Sequence, residues 1–432
     1  MISSDATILT NIKLCSYQVS AENIAKKCFS GTSLCFSHSF HEILWMSRCF
    51  QKLDLFGTAV HYAILFKESV QKMNTISILI KPASSSCNLK CKYCFYEDEA
   101  KARMHPSFPV MKEDTVNLLA QRADEALGHK GTANIGFQGG EPTVAGIDFF
   151  RKFVQIFEKH PEIEVHYSMQ TNGTLLNDAW AQFLYEHHFL VGISLDGYET
   201  NMDLYRYDAE KQSVYFKVLA GIDCLKKANV DYNILTVVTK SLAEHPEALL
   251  KFYLDHHFEY VQLIPCLPGI NGSEDAFSLQ PNQYSEFYIR FFDAWKKAFL
   301  QGKHISINLF ENIAGMLMGQ APYQCGMNGK CFIQYVIESN GDVFPCDFYC
   351  LDEVCLGNLK DLSFAELASS HNAMGFLSHS NCTKKPCASC PLRQYCNGGC
   401  RRQNVCYLTD ESCAYQKFLL HVIPELQEML SK

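Results

Sequence analysis

The chain contains the run Ser86-Cys87-Asn88-Leu89-Lys90-Cys91-Lys92-Tyr93-Cys94-Phe95-Tyr96, whose cysteines follow the spacing C-x3-C-x2-C. Three thiolates can hold three irons of a four-iron cluster and leave the fourth iron open, so that it can bind and activate a small molecule. A zinc site and buried thiols are the alternatives. A zinc ribbon would need a second C-x2-C within about twenty residues. The next cysteine after Cys94 is Cys224, which disfavours that alternative.

The composition is that of a globular protein and argues against two classes of partner. The 432 residues are 47% hydrophobic and 19% charged, which allows two or three domains and a large core. The net charge of −8 comes from interspersed acidic and basic residues, without a basic stripe for nucleic acid. The longest apolar stretch, 55–66, is interrupted by His61 and is too short to span a bilayer. We therefore expect protein or small-molecule partners, and neither nucleic acid nor a membrane.

The 21 cysteines indicate metal binding rather than disulfides. Disulfide-rich domains are typically small and secreted, whereas this chain is large, shows no export signal and spaces its cysteines as metal ligands. We therefore expect a reducing, cytoplasmic location. Oxygen-sensitive clusters would also favour an anaerobic host or compartment.

The chain divides into three predicted regions. Residues 1–72 have no recognisable motif and no strand–helix alternation, so we interpret them as an N-terminal extension. We favour an upstream extension or a start assigned too early, with Met73 as the natural first residue. The alternative is a small helical extension packed on the barrel. From Ile76 onward β-branched runs alternate with helical segments, which predicts βα units and a parallel sheet. The other two predicted domains are a barrel with a bridging helix over 73–300 and a cysteine-rich domain over 301–432.

Six strands are predicted, and six βα units form an incomplete barrel. The strands are expected at 76–80, 133–138, 163–170, 190–195, 231–238 and 259–265. Helices are expected at 112–127, 178–188, 215–228 and 245–256, with an aromatic bridging helix at 281–300. In such a barrel the chemistry collects at the carboxyl ends of the strands. The three-cysteine run follows the first strand and is therefore predicted to lie at that end.

Two further strand ends carry candidate binding residues. After the second strand the chain reads Gly139-Gly140-Glu141-Pro142, where glycine allows close approach of a ligand and a carboxylate can receive an ammonium. Near the end of the fourth strand, Ser194 lies in Gly192-Ile193-Ser194-Leu195-Asp196-Gly197, and Arg206 follows. A hydroxyl and a guanidinium can bind ribose hydroxyls and a carboxylate, respectively. An ordinary turn, a capping serine and a surface arginine are the alternatives.

The region after Gln324 contains a second set of cysteines in a regular order. Their pattern is C-x5-C, then G-x4-C from Gly341, then C-x2-C-x5-C-x3-C and a final C. Eight thiolates suffice for two closed four-iron clusters, and a pair of structural zinc sites is the alternative. Asp347 directly follows Cys346, and taken alone it would be a solvated surface carboxylate.

Together these motifs resemble the radical SAM superfamily with a SPASM domain. The resemblance implies an α/β fold, namely a partial (β/α)6 TIM-like radical SAM barrel followed by a cysteine-rich α+β SPASM auxiliary-cluster domain. It implies that S-adenosyl-L-methionine binds the open iron of a [4Fe-4S] cluster on Cys87, Cys91 and Cys94. Two auxiliary [4Fe-4S] clusters are implied as well, one on Cys325, Cys331, Cys346 and Cys400 and the other on Cys387, Cys390, Cys396 and Cys413, with Cys406 as the alternative last ligand.

Within this superfamily the chain most resembles the anaerobic sulfatase-maturating enzymes, through its Ser-Leu-Asp-Gly run and the arginine that follows. This likeness implies cofactor contacts from Tyr93, Gly140, Ser194, Arg206 and Leu267, with Glu141 supporting Gly140. It implies oxidation of a Cys or Ser, in an unfolded sulfatase segment of the Cys/Ser-x-Pro-x-Arg type, to Cα-formylglycine. In the implied reaction a 5′-deoxyadenosyl radical takes a β-hydrogen, Asp347 takes a proton and an auxiliary cluster takes the second electron. An electron donor such as flavodoxin or ferredoxin is expected.

Two other functions stay open from the sequence. Another SPASM enzyme would form a thioether or other crosslink in a ribosomal peptide. Such enzymes need no base at Asp347, and many carry a leader-binding domain with a strand-rich pattern that residues 1–72 lack. A non-catalytic metal-binding module would keep the clusters without cleaving S-adenosyl-L-methionine. No motif distinguishes a Cys target from a Ser target.

Overall fold

One ten-stranded sheet runs through the part of the chain that the computed structural model describes, residues 73–270, 272, 275–378 and 384–431. The strands are β1 (Thr75–Lys81), β2 (Gly131–Phe137), β3 (Ile163–Thr171), β4 (Leu190–Ser194), β5 (Tyr232–Val238), β6 (Tyr260–Pro265), β7 (Ser306–Ile307), β8 (Val336–Glu338), β9 (Asp342–Phe344) and β10 (Gly357–Asn358). Their order in the sheet is β10-β9-β8-β1-β2-β3-β4-β5-β6-β7.

The described residues belong to one compact unit, 71–432. The predicted N-terminal extension, 1–72, lies outside the described residues. Among the residues with described structure, no helix is both long and apolar enough to cross a membrane.

The first six strands confirm the predicted parallel sheet. Each of β1–β6 begins and ends within two residues of its predicted strand, and consecutive strands pair in parallel. In β1 the buried and more exposed residues alternate, which is the pattern that predicts a strand. Ile76, Ile78 and Ile80 are each at most 2% exposed. The carboxyl ends of these strands therefore meet at one edge of the sheet, as predicted.

Helices follow most of the strands. They are α1 (Phe95–Ala102), α2 (Glu113–Leu127), α3 (Ile147–Phe157), α4 (Asp178–Glu186), α5 (Glu199–Met202), α6 (Tyr215–Ala228), α7 (Pro246–Asp255), α8 (Pro281–Leu300), α9 (Asn308–Leu317), α10 (Phe364–Ala368), α11 (His371–Ser378), α12 (Lys385–Ala388), α13 (Arg393–Cys396) and α14 (Ala414–Leu430). The five predicted helices correspond to α2, α4, α6, α7 and α8, with ends within two residues. The structure adds α3, whose Phe150 and Phe153 pack on Phe137 of β2 with ring centroids 4.9 and 5.0 Å apart.

The bridging helix α8 fixes the C-terminal helix against the barrel. Tyr288 of α8 contacts Phe418 of α14 with ring centroids 5.7 Å apart, and both side chains are at most 1% exposed. The hydroxyl of Tyr288 also lies 3.4 Å from the carbonyl oxygen of Leu263 in β6. Aromatic side chains bury large apolar areas, so this layer contributes strongly to the core.

The cysteine-rich region adds strands to the barrel's own sheet. β8 pairs in parallel with β1, with Val336 beside Leu79 and Glu338 beside Lys81, and β9 and β10 continue the sheet in antiparallel fashion. The sheet thus runs across the predicted domain boundary at residue 300, and that boundary stays a prediction. The pairing places the segment around Cys346 next to the element that leads into the three-cysteine run.

A buried ion pair fastens β8 to the segment after α1. The Arg103 guanidinium donates to Oε2 of Glu338 at 2.6 Å, and their side chains are 3% and 0% exposed. The backbone N–H of Ser339 donates to the other carboxylate oxygen at 2.8 Å. Arg103 also stacks on the ring of Phe344 in β9, 5.1 Å from its centroid. Both charged groups are buried away from water, so removing either one leaves the other charge without its partner.

We predict that Arg103→Ala will lower the free energy of unfolding by about 3 to 5 kcal/mol, because it leaves the Glu338 carboxylate buried and unpaired. Anaerobic denaturant unfolding measures the change. Replacing both partners, with Arg103→Met and Glu338→Leu, should recover most of it. The control is Lys101→Ala, which removes an exposed pair with Glu97 and should cost less than about 1 kcal/mol. Equal losses for Arg103→Ala and Lys101→Ala would contradict the assigned role of burial.

Candidate active site

The three-cysteine run is held against the segment that follows α5. The backbone N–H of Lys90 donates to the Tyr207 carbonyl at 2.8 Å, and that of Lys92 donates to the Tyr205 carbonyl at 2.9 Å. Cys94 is the residue before α1 and therefore ends the run at a helix start. These bonds fix the backbone on which all three thiols are carried.

The three thiols lie close enough to interact with one another and with Arg206. Burial raises the pKa of Cys87 to about 11 and of Cys91 to about 12, and it raises the pKa of Cys94 as well. The positive charge of Arg206 opposes the rise at each thiol. Metal binding requires thiolates, so a fixed cation beside three buried thiols suits an anionic cluster.

Gly140 is required by the close approach of the protein's own cysteine loop. Its N–H donates to the Ser84 carbonyl at 2.9 Å. A Cβ at this position would lie 2.2 Å from the Ser86 carbonyl oxygen and 2.6 Å from the Ser85 carbonyl carbon. The predicted need for glycine thus has a structural reason here, independent of any contact between Gly140 and the cofactor.

Glu141 anchors two strand ends rather than offering a free carboxylate. It is 1% exposed. Its Oε1 accepts hydrogen bonds from the Thr143 N–H, the Thr143 hydroxyl and the Thr171 hydroxyl, and its Oε2 accepts one from the Asn172 N–H. The side chain of Asn172 in turn donates to Asn88 in the cysteine loop at 2.9 Å. Since both oxygens have protein donors, Glu141 supports the site through the backbone that it positions.

Tyr93 and Arg206 meet at Asp196, which the sequence analysis quoted without giving it a role. The Tyr93 hydroxyl donates to Oδ2 of Asp196, and Arg206 donates to the Tyr93 hydroxyl at 3.2 Å. Oδ1 of Asp196 accepts from the backbone N–H of Val237 at 2.9 Å. The Nε atom of Arg206 is buried and has no hydrogen-bond partner among the described residues. A buried, unused N–H beside the cysteine loop fits a ligand with a carboxylate.

Ser194 and Leu267 lie at the same edge of the sheet. Ser194 is the last residue of β4 and is half-buried, and Leu267 follows the end of β6 and is 9% exposed. The structure therefore brings all five predicted cofactor-binding positions to the edge where the carboxyl ends of the strands meet.

Asp347 lies beside Tyr96, which follows Cys94 by two residues in the sequence. The Tyr96 hydroxyl donates to Oδ2 of Asp347 at 2.7 Å and also lies 3.1 Å from Oε1 of Gln138. Oδ1 of Asp347 is buried without a partner within the described chain. Sequence reasoning missed Tyr96, which ends the quoted three-cysteine run, and Gln138. The signal that could have found them is their position, two residues after Cys94 and directly before Gly139-Gly140.

Burial and a nearby buried lysine act in opposite directions on the pKa of Asp347. Burial raises the pKa of Asp347, while the Lys81 ammonium and the Tyr96 hydrogen bond oppose that rise. Lys81 is 1% exposed, and its Nζ lies 3.7 Å from Oε2 of Glu99 and 5.0 Å from the Tyr96 ring centroid. Burial likewise raises the pKa of Glu99 to about 8, although Lys81 opposes the rise. Lys81 and Glu99 are polar core residues that the sequence patterns did not single out.

The cysteines predicted for the first auxiliary cluster come together. The thiol of Cys346 interacts electrostatically with those of Cys400 and Cys325, and Cys325 interacts with Cys400 and Cys331. A Cβ on Gly326 would lie 3.3 Å from the Cβ of Cys400. Four thiols from distant parts of the sequence thus share one neighbourhood, which fits a four-thiolate cluster.

The second predicted set lines one cavity. Its walls include all four thiols and two polar side chains, namely those of Cys387, Cys390, Cys396, Cys413, Arg393 and Gln416. The Gln416 amide donates to Sγ of Cys390 at 3.3 Å. Cys406 is fully buried elsewhere and donates to the Cys266 carbonyl at 3.4 Å. The geometry therefore favours Cys413 over Cys406 as the fourth member of this set. Among the described residues, no group of three or more His, Cys, Asp or Glu side chains is arranged to hold a single metal ion.

Comparison with known proteins gives matches for both halves of this arrangement. The family model of the radical SAM superfamily matches residues 82–253, and that of the SPASM iron–sulfur cluster-binding domain matches residues 329–391. The cysteine-type anaerobic sulfatase-maturating enzyme of Clostridium novyi (strain NT) is 43% identical over 335 residues, covering 76% of this chain and 89% of that enzyme.

A serine-type relative and a solved structure show the same likeness. The serine-type anaerobic sulfatase-maturating enzyme of Bacteroides thetaiotaomicron is 29% identical over 381 residues, covering 82% of this chain and 90% of that enzyme. A solved structure described as native anSMEcpe with bound AdoMet and Kp18Cys peptide has a TM-score of 0.76 and 36% identity. It covers 82% of this chain, and this chain covers 99% of it.

Gly140→Ala is predicted to displace the cysteine loop, because the added methyl group would overlap the Ser85–Ser86 backbone. The variant should lose the iron held by Cys87, Cys91 and Cys94 and keep that of the two other cysteine sets. Iron content per chain after anaerobic reconstitution measures this. Gly375→Ala is the matched control, since nothing lies within 4 Å of a Cβ there. Full iron in Gly140→Ala would show that the loop tolerates the methyl group.

Glu99→Gln is predicted to flatten the pH dependence of stability. A carboxyl whose pKa rises from 4.5 to about 8 on folding binds its proton more tightly in the folded state. Its contribution is therefore greatest below pH 4.5 and is lost as the pH rises to about 8. At pH 8 Gln avoids the cost of ionising a buried carboxyl but also removes the partner of the buried Lys81 ammonium, so the loss of slope between pH 4.5 and about 8 is the expected signature. Unfolding at several pH values measures this, with exposed Glu97→Gln as control; a slope unchanged by Glu99→Gln would refute the shift.

Proposed function

This chain belongs to the family of anaerobic sulfatase-maturating enzymes within the radical SAM superfamily, and we propose that it oxidises one cysteine of a sulfatase polypeptide to Cα-formylglycine. The observation that carries the proposal is the hydrogen bond from Tyr96 to Asp347. It places a carboxylate with one unused oxygen beside the three-cysteine run. Family membership supports the reaction class, and this contact supports Asp347 as the base.

The proposal includes S-adenosyl-L-methionine and three [4Fe-4S] clusters as cofactors. Cys87, Cys91 and Cys94 would hold the open cluster, and the two sets of four thiols described above would hold the auxiliary clusters. For S-adenosyl-L-methionine, we propose contacts from Tyr93, Gly140, Ser194, Arg206 and Leu267. The unused Nε–H of Arg206 supports a contact to the methionine carboxylate. When bound, the open cluster and S-adenosyl-L-methionine supply a 5′-deoxyadenosyl radical that removes one hydrogen atom from the substrate β-carbon.

Asp347 is proposed to take the proton of the substrate thiol. Its Oδ1 has no partner among the described residues, and its Oδ2 is held by Tyr96. Lys81 favours the ionised carboxylate against the effect of burial, which is the state that a base needs. The Tyr96 hydroxyl also lies 3.1 Å from Oε1 of Gln138. We propose that Gln138 orients either Tyr96 or the substrate.

The target is proposed to be cysteine rather than serine. The cysteine-type relative from Clostridium novyi is 43% identical to this chain, against 29% for the serine-type relative from Bacteroides thetaiotaomicron. The polypeptide substrate is proposed to carry a Cys-x-Pro-x-Arg segment, and a flavodoxin or ferredoxin to act as electron donor. For a cysteine substrate the oxidation gives a thioaldehyde, and its hydrolysis gives the aldehyde and hydrogen sulfide.

The test is anaerobic incubation of the reconstituted chain with dithionite, S-adenosyl-L-methionine and a short Cys-x-Pro-x-Arg peptide or its Ser counterpart. We expect 5′-deoxyadenosine and a peptide whose mass shows conversion to formylglycine, with the Cys peptide preferred. Deoxyadenosine formation with a crosslinked peptide instead would favour the other class of SPASM enzyme. Absence of deoxyadenosine would exclude every radical SAM activity.

Asp347→Asn is predicted to lower formylglycine formation by about 100-fold or more, since general base catalysis contributes on that scale. Deoxyadenosine should still form, because the change leaves the three-cysteine run untouched. Asp361→Asn is the matched control, as Asp361 is exposed. Unchanged formylglycine yield in Asp347→Asn would mean that another group takes the proton.

A further inference from the structure

A clamped arginine directly follows Cys400 in the first auxiliary set. The guanidinium carbon of Arg401 lies 3.9 Å from the ring centroid of Phe376 and 4.4 Å from that of Tyr349. Two aromatic faces on one guanidinium form a cation–π arrangement that holds the charge in place. The Nε atom of Arg401 is buried, without a hydrogen-bond partner in the described part of the chain. Within the described residues, the two rings rather than a carboxylate hold this positive charge.

This charge lies near the first auxiliary set, directly after Cys400 and against Tyr349. Tyr349, which forms one side of the clamp, ends the short helix Asp347–Tyr349 that begins directly after Cys346. Burial raises the pKa of the Cys331 thiol, and Arg401 opposes that rise, which is the effect of a nearby cation. The next residue, Arg402, behaves differently, since it donates to the Pro268 carbonyl at 2.7 Å. Asp347 is the negative group that adjoins the same set.

We propose that Arg401 raises the reduction potential of the first auxiliary cluster, so that this cluster accepts the second electron of substrate oxidation. The inference rests on the proposed function and on its ligand set. A cluster becomes more negative when it is reduced, and a fixed positive charge stabilises the more negative state. Arg401 touches neither the substrate nor S-adenosyl-L-methionine in this account; it is a positioning residue whose charge acts through the cluster.

The electron count of the reaction shows where this charge acts. The substrate side chain –CH2–SH loses one hydrogen atom to the deoxyadenosyl radical, which becomes 5′-deoxyadenosine. It then loses the thiol proton to Asp347 and one electron to the auxiliary cluster, and the C=S double bond forms. The cluster is reduced by one electron, which it later passes to an external acceptor of the flavodoxin or ferredoxin class. A higher potential favours the step in which the substrate radical is oxidised.

The test is a potentiometric titration of the full chain loaded with its clusters. EPR detects the reduced clusters during the titration, and no substrate turnover is required. Arg401→Gln should shift the first auxiliary cluster to a more negative potential. At a fixed potential the ratio of reduced to oxidised cluster should fall about tenfold, equivalent to about 59 mV for a one-electron couple. Arg401→Lys keeps the charge and should keep most of the parent potential.

Arg393→Gln is the matched control. Arg393 lines the cavity of the second cysteine set, and its guanidinium donates to the Cys387 carbonyl at 3.1 Å. The same substitution there should leave the potential of the first auxiliary cluster unchanged. A shift of both auxiliary clusters in both variants would indicate general loosening, and it would overturn the specific role of Arg401.

A second variant covers the case in which Arg401→Gln does not retain its cluster. Phe376→Leu removes one ring of the clamp from a helix that carries no proposed ligand, and it should move the potential in the same direction by less. An unchanged potential in whichever variant keeps the cluster would overturn the inference. A parent protein without auxiliary clusters would instead remove the proposed function, so the two failures are distinguishable.

Discussion

The hydrogen bond from Tyr96 to Asp347 joins the two cysteine-bearing regions of the chain, although 251 residues separate its partners in the sequence. The parallel pairing of β1 with β8 makes the bond possible, because it extends the barrel's sheet into the region that contains Cys346. The Asp347 carboxylate of one region, which we propose as the base, thus lies beside the three-cysteine run of the other.

Four buried charged residues lie where the two regions meet, although burying charges usually costs stability. Lys81, Glu99, Arg103 and Glu338 are all at most 6% exposed. Buried ion pairs cost desolvation energy that their mutual attraction often fails to repay. Here they occupy the seam between β1, α1 and β8, and Lys81 also acts on the pKa of Asp347. We interpret these buried charges as a cost in stability that is tolerated because Lys81 favours the ionised form of Asp347, the proposed base.

Local patterns in the sequence predicted the elements well, and long-range contacts account for what they missed. The alternation along β1 and the β-branched residues of β2–β6 indicate strands of a sheet, so strand positions were predicted to within two residues. The spacing of Cys87, Cys91 and Cys94 is equally local. The pairing of β8 with β1 has no local signature, because β8 is only three residues long, and the contact of Tyr96 with Asp347 depends on that pairing. Glu141 illustrates the same limit: its sequence neighbours indicate a ligand site, whereas its partners Thr171 and Asn172 come from the next strand end.

We propose that one cluster is held by three protein thiolates and leaves one iron for S-adenosyl-L-methionine. The most direct measurement is ENDOR spectroscopy of the reduced, anaerobically reconstituted chain with S-adenosyl-L-methionine labelled with 17O at its carboxylate and 15N at its amino group. We expect hyperfine coupling of both labels to the reduced cluster, and loss of both couplings in Cys91→Ala. A fully loaded chain without either coupling, or with a fourth protein ligand on that cluster, would contradict it.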